Sequence, residues 1–225
     1  EVLELLEEVS TYARLEKDPM TIFTDILGLN RPVAHAVSGF FQEHVATTFQ
    51  VPSNDLILVE QVEAPLPTYI VTTCRGRAFN LALGHLFAGI ATNDNIIVHE
   101  LSFDENGFMI KLSHEVEISL IPEIFKQGNS KDVLQKHMME SQLFAKRFRE
   151  ISSRSMLNPR RIGAEEVSPK QFQQRAEQIM QKHRQMDDSV LIRETMNEIL
   201  HADLDMAQLE IFINRMDSED VRIVH

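Results

Sequence analysis

Basic side chains are concentrated in one stretch of an otherwise acidic chain, FAKRFREISSRSMLNPRR at positions 144–161. The stretch contains a single acid, Glu150, and two phenylalanines that alternate with the bases. Its six bases are Lys146, Arg147, Arg149, Arg154, Arg160 and Arg161. Positive groups spaced along one surface suit the successive phosphates of a single nucleic-acid strand. These residue types therefore predict a nucleic-acid-binding site.

The spacing predicts that most of these bases lie on the outside of a helix over 141–155. Its buried face would consist of Phe144, Phe148, Ile151 and Ser155. Arg147 and Arg154 share one edge of that face, whereas Lys146 and Arg149 point further round. Pro159 ends the helix because proline cannot continue it. We expect the apolar face to pack and the bases to border a groove.

A second candidate site is CRGRAFN at 74–80, where a predicted strand meets a predicted helix. Arg75 and Arg77 flank Gly76 at the helix entrance, and Asn80 follows one turn later. Backbone N–H groups at the start of a helix favour anions, and guanidinium groups add charge-assisted hydrogen bonds to phosphate. The stretch predicts a phosphate contact, although a tight turn with solvated arginines fits the same residues.

The distribution of charge leaves alternatives open. Residues 144–184 hold ten Lys or Arg against four Asp or Glu and carry +6, whereas the rest of the chain carries −18. Because salt confines electrostatic fields to about 8 Å, a basic surface on an acidic body still attracts polyanions. The alternatives are a solvated face that pairs with the acidic body, or a basic helix that docks on an acidic protein partner without any nucleic-acid contact.

Sequence motifs for nucleotide binding and hydrolysis are absent: there is no GxxxxGK[ST], GxGxxG, HExxH or GxSxG. We expect no catalytic residue and no cofactor in this chain, and neither ATP hydrolysis nor unwinding by it alone. A metalloenzyme that uses two or three of the nine histidines with Cys74 or Glu100 is a third hypothesis. The scattered spacing favours ordinary histidines and no metal.

Cysteine content and hydropathy limit the environment. Cys74 is the only cysteine, which excludes an internal disulfide and favours a buried thiol in a reducing, cytoplasmic compartment. No apolar run approaches the roughly 20 residues of a membrane span, so we expect no membrane partner.

The elements that must position the two basic stretches form a predicted α+β fold. LILVEQV (56–62) and TYIVTTC (68–74) predict neighbouring antiparallel strands, and NIIVHEL (95–101) with FMIKL (108–112) predicts a hairpin with turn residues between. Between the pairs, AFNLALGHLFAGIA (78–91) is apolar almost all round, which is typical of a buried helix. The unit is a small antiparallel sheet, strand-strand-helix-strand-strand, packed with a C-terminal helical bundle.

Three domains are predicted along the chain. They are an N-terminal helical segment (1–50), an α+β sheet subdomain (51–115) and a helical subdomain (116–225) with a closing strand at VRIVH (221–225). The first segment contains short helices at 1–8 and 20–29 and a longer one that opens at Pro32. In the last, Ser168-Pro169-Lys170-Gln171 predicts a helix start with a capping box, and further helices follow over 190–200 and 209–216.

Taken in order, several of these segments resemble one helicase family. They are ARLEKDPMTIF (13–23), VPSNDLILVE (51–60), TTCRGRAFNLALG (72–84), KRFREISSRSMLNPRR (146–161) and DDSVLIRETMNEILHADLDMAQLEIFINRM (187–216). The third is similar to the family's Gly-x-x-x-Asn-x-x-Leu-Gly pattern, and the fourth to its arginine helix. The chain resembles the C-terminal domain of the helicase core in Lhr-like (large helicase-related) superfamily-two ATP-dependent helicases.

The resemblance implies an accessory domain of a motor that moves along single-stranded DNA and unwinds duplexes or RNA–DNA hybrids, with a role in DNA repair. The domain would form one wall of the channel for the tracking strand. It would follow two RecA-like domains and a winged helix, and ATP and Mg²⁺ would bind in the rest of the parent protein. Some relatives have a base-stacking tryptophan at the position of Leu83, so we expect this chain to use phosphate contacts or Phe79 instead.

Overall fold

The structure is a computed structural model that describes residues 9, 11, 20–48, 56–116, 130–163, 165–186, 188–217 and 222–224. Its first elements are α1 (Ile22–Ile26, a π-helical turn), α2 (Arg31–Thr48), β1 (Leu56–Val62), β2 (Thr68–Thr72), α3 (Arg77–Asn93), β3 (Val98–Phe103) and β4 (Gly107–Leu112). The later elements are α4 (Ser130–Met139), α5 (Gln142–Arg154), β5 (Arg161–Ile162), β6 (Glu165–Glu166), α6 (Pro169–Arg184), α7 (Val190–Glu198), the π-helical turn Ile199–Asp203, α8 (Met206–Asp217) and β7 (Arg222–Val224).

The N-terminal helices α1 and α2 agree with the predicted segments 20–29 and the helix that opens at Pro32. Gly28 follows α1 with a φ of 64°, a left-handed conformation that ends a helix readily. A small core of their own contains Val9, Ile22, Phe23 and Ala34. The helix predicted over 1–8 lies outside the described residues.

The sheet confirms the predicted α+β fold. Its strand order is β3-β4-β2-β1-β7. The β1–β2, β2–β4 and β3–β4 pairs are antiparallel, as predicted for the two strand pairs. The closing strand β7 also forms, and it joins β1 in parallel. The sheet is therefore mixed at one edge, because the chain returns to it through the helical layer and not through a hairpin.

Helix α3 joins the sheet to the helical layer. It packs on β3 and β4 and also on α4 and α8. Its side chains from Phe79 to Ala91 are buried almost without interruption, which confirms the all-round apolar pattern. Sheet, α3 and the helices α4 to α8 share one continuous hydrophobic core. The predicted boundary between a sheet subdomain and a helical subdomain stays a prediction.

The β3–β4 turn sits beside the start of α3. The Asp104 carboxylate accepts hydrogen bonds of 2.8 Å from the backbone N–H groups of Asn106 and Gly107. A Cβ at Gly107 would lie 1.9 Å from the carbonyl oxygen of Val71 on the neighbouring strand, so only glycine fits. These contacts support the predicted hairpin turn and hold it against β2.

The helical layer surrounds α5. This helix packs against α4, α6 and α7 and touches the π-helical turn Ile199–Asp203. Among the helices that the structure describes, none contains an apolar stretch long enough to cross a membrane.

We predict that Gly107→Ala lowers the free energy of unfolding by about 2 kcal/mol or more, because the new methyl group collides with strand β2. Chemical denaturation would measure this loss of stability, with equal m-values expected for the variant and the wild type. Gly39→Ala is the control, because the added Cβ in helix α2 meets no described atom within 4 Å apart from its chain neighbours and the backbone of its own helix. Alanine should stabilise the helix by about 0.5–1 kcal/mol. Equal stability of the two variants would contradict this account of the turn.

Candidate nucleic-acid interface

Helix α5 buries the predicted phenylalanine face. Phe144, Phe148 and Ile151 are at most 5 % exposed, and Ser152 is fully buried. The prediction that Ser155 continues the face is wrong, because the helix ends at Arg154 and Ser155 is its exposed C-terminal cap. At the other end the Ser141 hydroxyl caps the helix by accepting from the Phe144 N–H at 3.1 Å. With this face fixed inward, most of the bases of α5 lie at the surface.

A groove of about 1070 Å³ brings the bases of this stretch together. We call it the basic groove. Its cationic lining consists of Lys146, Arg147, Arg149, Arg154 and Arg160. The first turn of α6 forms the opposite wall with Ser168, Pro169, Phe172 and Gln173, and the carboxylates of Glu150 and Glu166 also line it. Arg161 is exposed on β5, paired in the backbone with Glu166, and is not part of the lining.

The wall on α6 depends on long-range contacts that the sequence did not reveal. Asn158 is fully buried, and its side-chain amide donates to the Phe172 carbonyl at 3.0 Å. The guanidinium of Arg160 lies over the Phe172 ring, 5.6 Å from its centroid. The predicted capping box of Ser168 and Gln171 is present and starts α6 beside these residues. The helix start was therefore predictable, but its place across the groove from α5 was not.

Arg147 is held by acids of the same chain. Its Nε and Nη2 donate to the two carboxylate oxygens of Asp203 at 2.7 and 2.5 Å, and its Nη1 donates to Glu150 at 2.7 Å. These hydrogen bonds, first those to Asp203, keep the pKa of Arg147 above its usual range. Two-point contacts of this kind are strong and geometrically specific. Arg147 thus fastens α5 to the turn after α7, and its guanidinium is not available to a phosphate without breaking that contact.

Arg154 has a weaker internal partner. Its guanidinium donates to Glu198 of α7 at 2.5 Å, and its side chain is 62 % exposed. An ion pair this exposed contributes little to stability, so Arg154 exchanges partners at small cost. The predicted common edge of Arg147 and Arg154 is correct in position, because both reach toward α7 and the turn that follows it.

Asn80, a predicted contact residue, is buried. Its amide donates to the carbonyls of Asp104 and Glu105 at 3.0 and 3.3 Å, and its oxygen accepts from the Thr73 hydroxyl. The relative exposure of Asn80 is 0 %. The role that these contacts support is structural, because they join the β3–β4 turn to the start of α3.

The first backbone N–H of α3 is hydrogen-bonded to a carboxylate of the same chain. The Arg77 N–H donates to the Glu105 carboxylate at 3.2 Å, and the Arg77 guanidinium donates to the Phe103 carbonyl at 2.6 Å. Gly76 precedes the helix with a φ of 86°, a conformation that favours glycine. The tight-turn alternative therefore accounts for the local geometry of this stretch.

The remaining arginine of the turn lies between aromatic rings. The guanidinium carbon of Arg75 is 5.3 Å from the centroid of Phe79 and 5.4 Å from that of Phe212. Phe79 and Leu83 are each 1 % exposed, so the expectation that Phe79 stacks on a base is wrong. Both side chains are part of the core around α3.

The two predicted stretches are connected, but they do not line one groove. Asp205 N–H donates to the Ala78 carbonyl at 3.3 Å, and Asp203, two residues earlier, holds Arg147. Two residues span at most about 7 Å, so the turn at the start of α3 is tied closely to α5. Arg75, Arg77 and Asn80 are not among the residues of the basic groove.

Outside the groove, burial shifts the pKa values of a histidine and of the cysteine. His85 on α3 and His137 on α4 face each other with ring centroids 5.5 Å apart, and His85 is 8 % exposed. Burial first, and then the neighbouring His137, lower the pKa of His85 to about 4. Burial and the Asp104 carboxylate raise the pKa of the Cys74 thiol, which makes it a poor nucleophile. Within the described ranges no three His, Cys, Asp or Glu side chains are close enough to share a metal ion.

Comparison with known proteins shows the family of the chain. Residues 51–225 match the family model described as DEAD/H associated. The chain belongs to the DEAD/H associated family. This DEAD/H associated chain is similar to ATP-dependent helicase Lhr-Core protein 2 of Thermococcus barophilus, with 26 % identity over 87 % of the chain. It is also similar to ATP-dependent helicase Lhr-Core of Saccharolobus solfataricus, with 23 % identity over 98 % of the chain.

A solved structure shares the fold. The Mycobacterium smegmatis helicase Lhr, solved with ssDNA and AMP-PNP, matches 85 % of the chain at 22 % identity with a TM-score of 0.68. The resemblance to Lhr-like helicases is confirmed. The chain spans about a quarter of the length of these relatives, 23 % and 24 % of the two archaeal proteins and 25 % of the mycobacterial one.

We predict that Arg147→Gln lowers the free energy of unfolding of this DEAD/H associated domain by about 1–3 kcal/mol, because Asp203 loses its two-point partner. Arg149→Gln removes the same charge from the same helix without breaking this contact and should change stability by about 0.5 kcal/mol or less. Thermal and denaturant unfolding would measure both. Equal stability of the two variants would show that Arg147 does not fasten α5.

We predict that stability falls as the pH falls from about 6.5 toward 4, because folded His85 has a lowered pKa and resists the proton that the unfolded chain accepts. The contribution is fully present above the unfolded pKa of about 6.5, and each pH unit below it costs up to about 1.4 kcal/mol. His85→Met, which keeps an apolar side chain at the site, should flatten this slope between pH 6.5 and 5. A variant with the wild-type slope would refute the assignment to His85.

Proposed function

We propose that this chain forms one wall of the channel that holds the tracking single strand of an ATP-dependent DNA helicase. The observation that supports this most is the basic groove, in which cations from α5 and Arg160 face the first turn of α6. A strand backbone offers a row of phosphates to such a surface. The fold shared with a helicase that was solved with ssDNA supports the same placement.

The contact residues of the proposal differ from the original candidates. We assign phosphate contacts to Lys146, Arg149 and Arg160, and to Arg154 once a phosphate replaces Glu198. Arg147 positions α5, and Asn80 positions the turn before α3. Arg75, Arg77 and Arg161 lie outside the groove and carry no phosphate contact in this proposal.

The proposed mechanism is coupling. The groove holds phosphates while the RecA-like domains of a larger protein cycle through ATP binding and hydrolysis with Mg²⁺. A winged helix and the RecA-like domains are its proposed intramolecular partners, and RNA–DNA hybrids are proposed substrates of that larger protein beside DNA. The chain itself contributes neither a catalytic residue nor a nucleotide site, and it hydrolyses no ATP.

We predict that the double variant Lys146→Gln/Arg149→Gln weakens binding to short single-stranded DNA and flattens its salt dependence. Each lost phosphate contact removes about 0.7 from the slope of log K against log salt, so two reduce it by about 1.4. Fluorescence anisotropy over a series of salt concentrations measures both quantities. The matched control is Lys131→Gln/Lys136→Gln, two exposed lysines on α4 outside the groove.

The two double variants lose the same net charge, so a purely global effect would weaken binding equally in both. Equal weakening would contradict the groove. If the groove variant binds DNA like the wild type, the groove serves the alternative function, docking on an acidic protein surface. Two observations are the reason for testing this alternative. Glu150 and Glu166 line the groove, and Arg147 and Arg154 already pair with carboxylates of the same chain.

A further inference from the structure

The loop between α5 and β5 carries an exposed apolar pair. Met156 is 83 % exposed and Leu157 is 53 % exposed, and we call these two residues the apolar tip. Of the large apolar side chains that the structure describes, Met156 is the most exposed. In the sequence the tip lies between Arg154 and Arg160, and both of these arginines line the groove. Apolar side chains held in water beside a charged site commonly mark a binding surface.

The loop that carries the tip is anchored at both ends. The Met156 N–H donates to the Ser153 carbonyl at 3.1 Å, and the Asn158 N–H donates to the Ser152 carbonyl at 3.0 Å. The buried side chain of Asn158 is bonded in turn to Phe172 at the start of α6. The tip is therefore fixed between the end of α5 and the opposite wall of the groove, and it projects outward from there.

The backbone at Met156 gives an independent observation. Its φ is 60°, in the left-handed region that costs energy for any residue with a side chain. The position directly follows the C-terminal cap of α5, where helices most often place glycine. Methionine at this position strains the backbone and is almost fully in water, so no packing among the described residues explains the side chain. Such strain is typical of functional positions.

We propose that the apolar tip contacts the faces of bases in the single strand whose phosphates lie in the basic groove. The proposal rests on the proposed function and adds a base-contacting element to it. A single strand presents phosphates and flat apolar base faces in alternation, which matches a tip of two apolar side chains between two arginines. Apolar side chains elsewhere insert between bases in this way, and methionine adapts its shape and has a polarisable sulfur for the contact.

The variant Met156→Gly separates function from folding. Glycine relieves the strained φ, so the variant should unfold at the same temperature as the wild type or a higher one. Its affinity for an oligo-dT strand of about twelve nucleotides should fall about five- to tenfold, because base contacts are lost. Its affinity for an abasic strand of the same length should equal that of the wild type, because the phosphates remain. Met186→Gly, at another exposed methionine outside the groove, is the matched control and should change neither affinity.

Each outcome has a distinct meaning. Wild-type affinity of Met156→Gly for oligo-dT would overturn the proposal. An equal loss of affinity for oligo-dT and for the abasic strand would also overturn it, because the tip would then act only by positioning the basic side chains of the groove. If the wild-type chain binds neither strand, the proposed function fails and the tip proposal fails with it. If the wild type binds both strands equally, the groove is supported and the tip is not.

Discussion

Burial of the phenylalanine face of α5 is the constraint on which the rest of the interface depends. Phe144 and Phe148 are 0 and 1 % exposed and lie between α4, α6 and α7. Once they are fixed, helical geometry decides which bases of the groove also reach α7 or the turn after it, as Arg147 and Arg154 do. Full burial of one phenylalanine contributes about 1.5–3 kcal/mol, more than an exposed ion pair. Apolar packing therefore orients the cations, and the charge pairs respond to that orientation.

The arginines differ in how firmly carboxylates of the same chain hold them. Arg147 meets Asp203 in a two-point contact with its side chain 27 % exposed, whereas Arg154 meets Glu198 with a side chain that is 62 % exposed. The first pair is part of the fold, and the second is an exchangeable surface contact. The proposed function depends on this division, because the acids of the chain would otherwise neutralise every base. The same competition occurs at α3. The start of this helix was predicted to contact a phosphate, but its Arg77 N–H donates to the Glu105 carboxylate.

Local patterns predicted the elements, and long-range contacts decided the site. The β-rich composition of LILVEQV and TYIVTTC and the turn residues around Gly107 are local signals, so β1, β2 and the hairpin were predictable. Asn80 was predicted as a nucleic-acid contact, and its burial was not predictable because its carbonyl partners lie 24 and 25 residues away. Asp203 lies 56 residues from Arg147, and nothing in either neighbourhood indicates their pairing. The sequence shows that Met156 and Leu157 are adjacent, but only the structure reveals the left-handed backbone of Met156 and the exposure of both side chains.

The proposed function requires that Arg149, Arg154 and Arg160 meet phosphates while Arg147 stays on Asp203. Arginine side-chain Nε–Hε resonances report each guanidinium separately during a titration of the isotope-labelled chain with single-stranded DNA. We expect shifts for Arg149, Arg154 and Arg160 and none for Arg147 or for Arg193, which pairs with Asp188 outside the groove. Uniform shifts across all arginines, or shifts confined to Arg75 and Arg77, would contradict it.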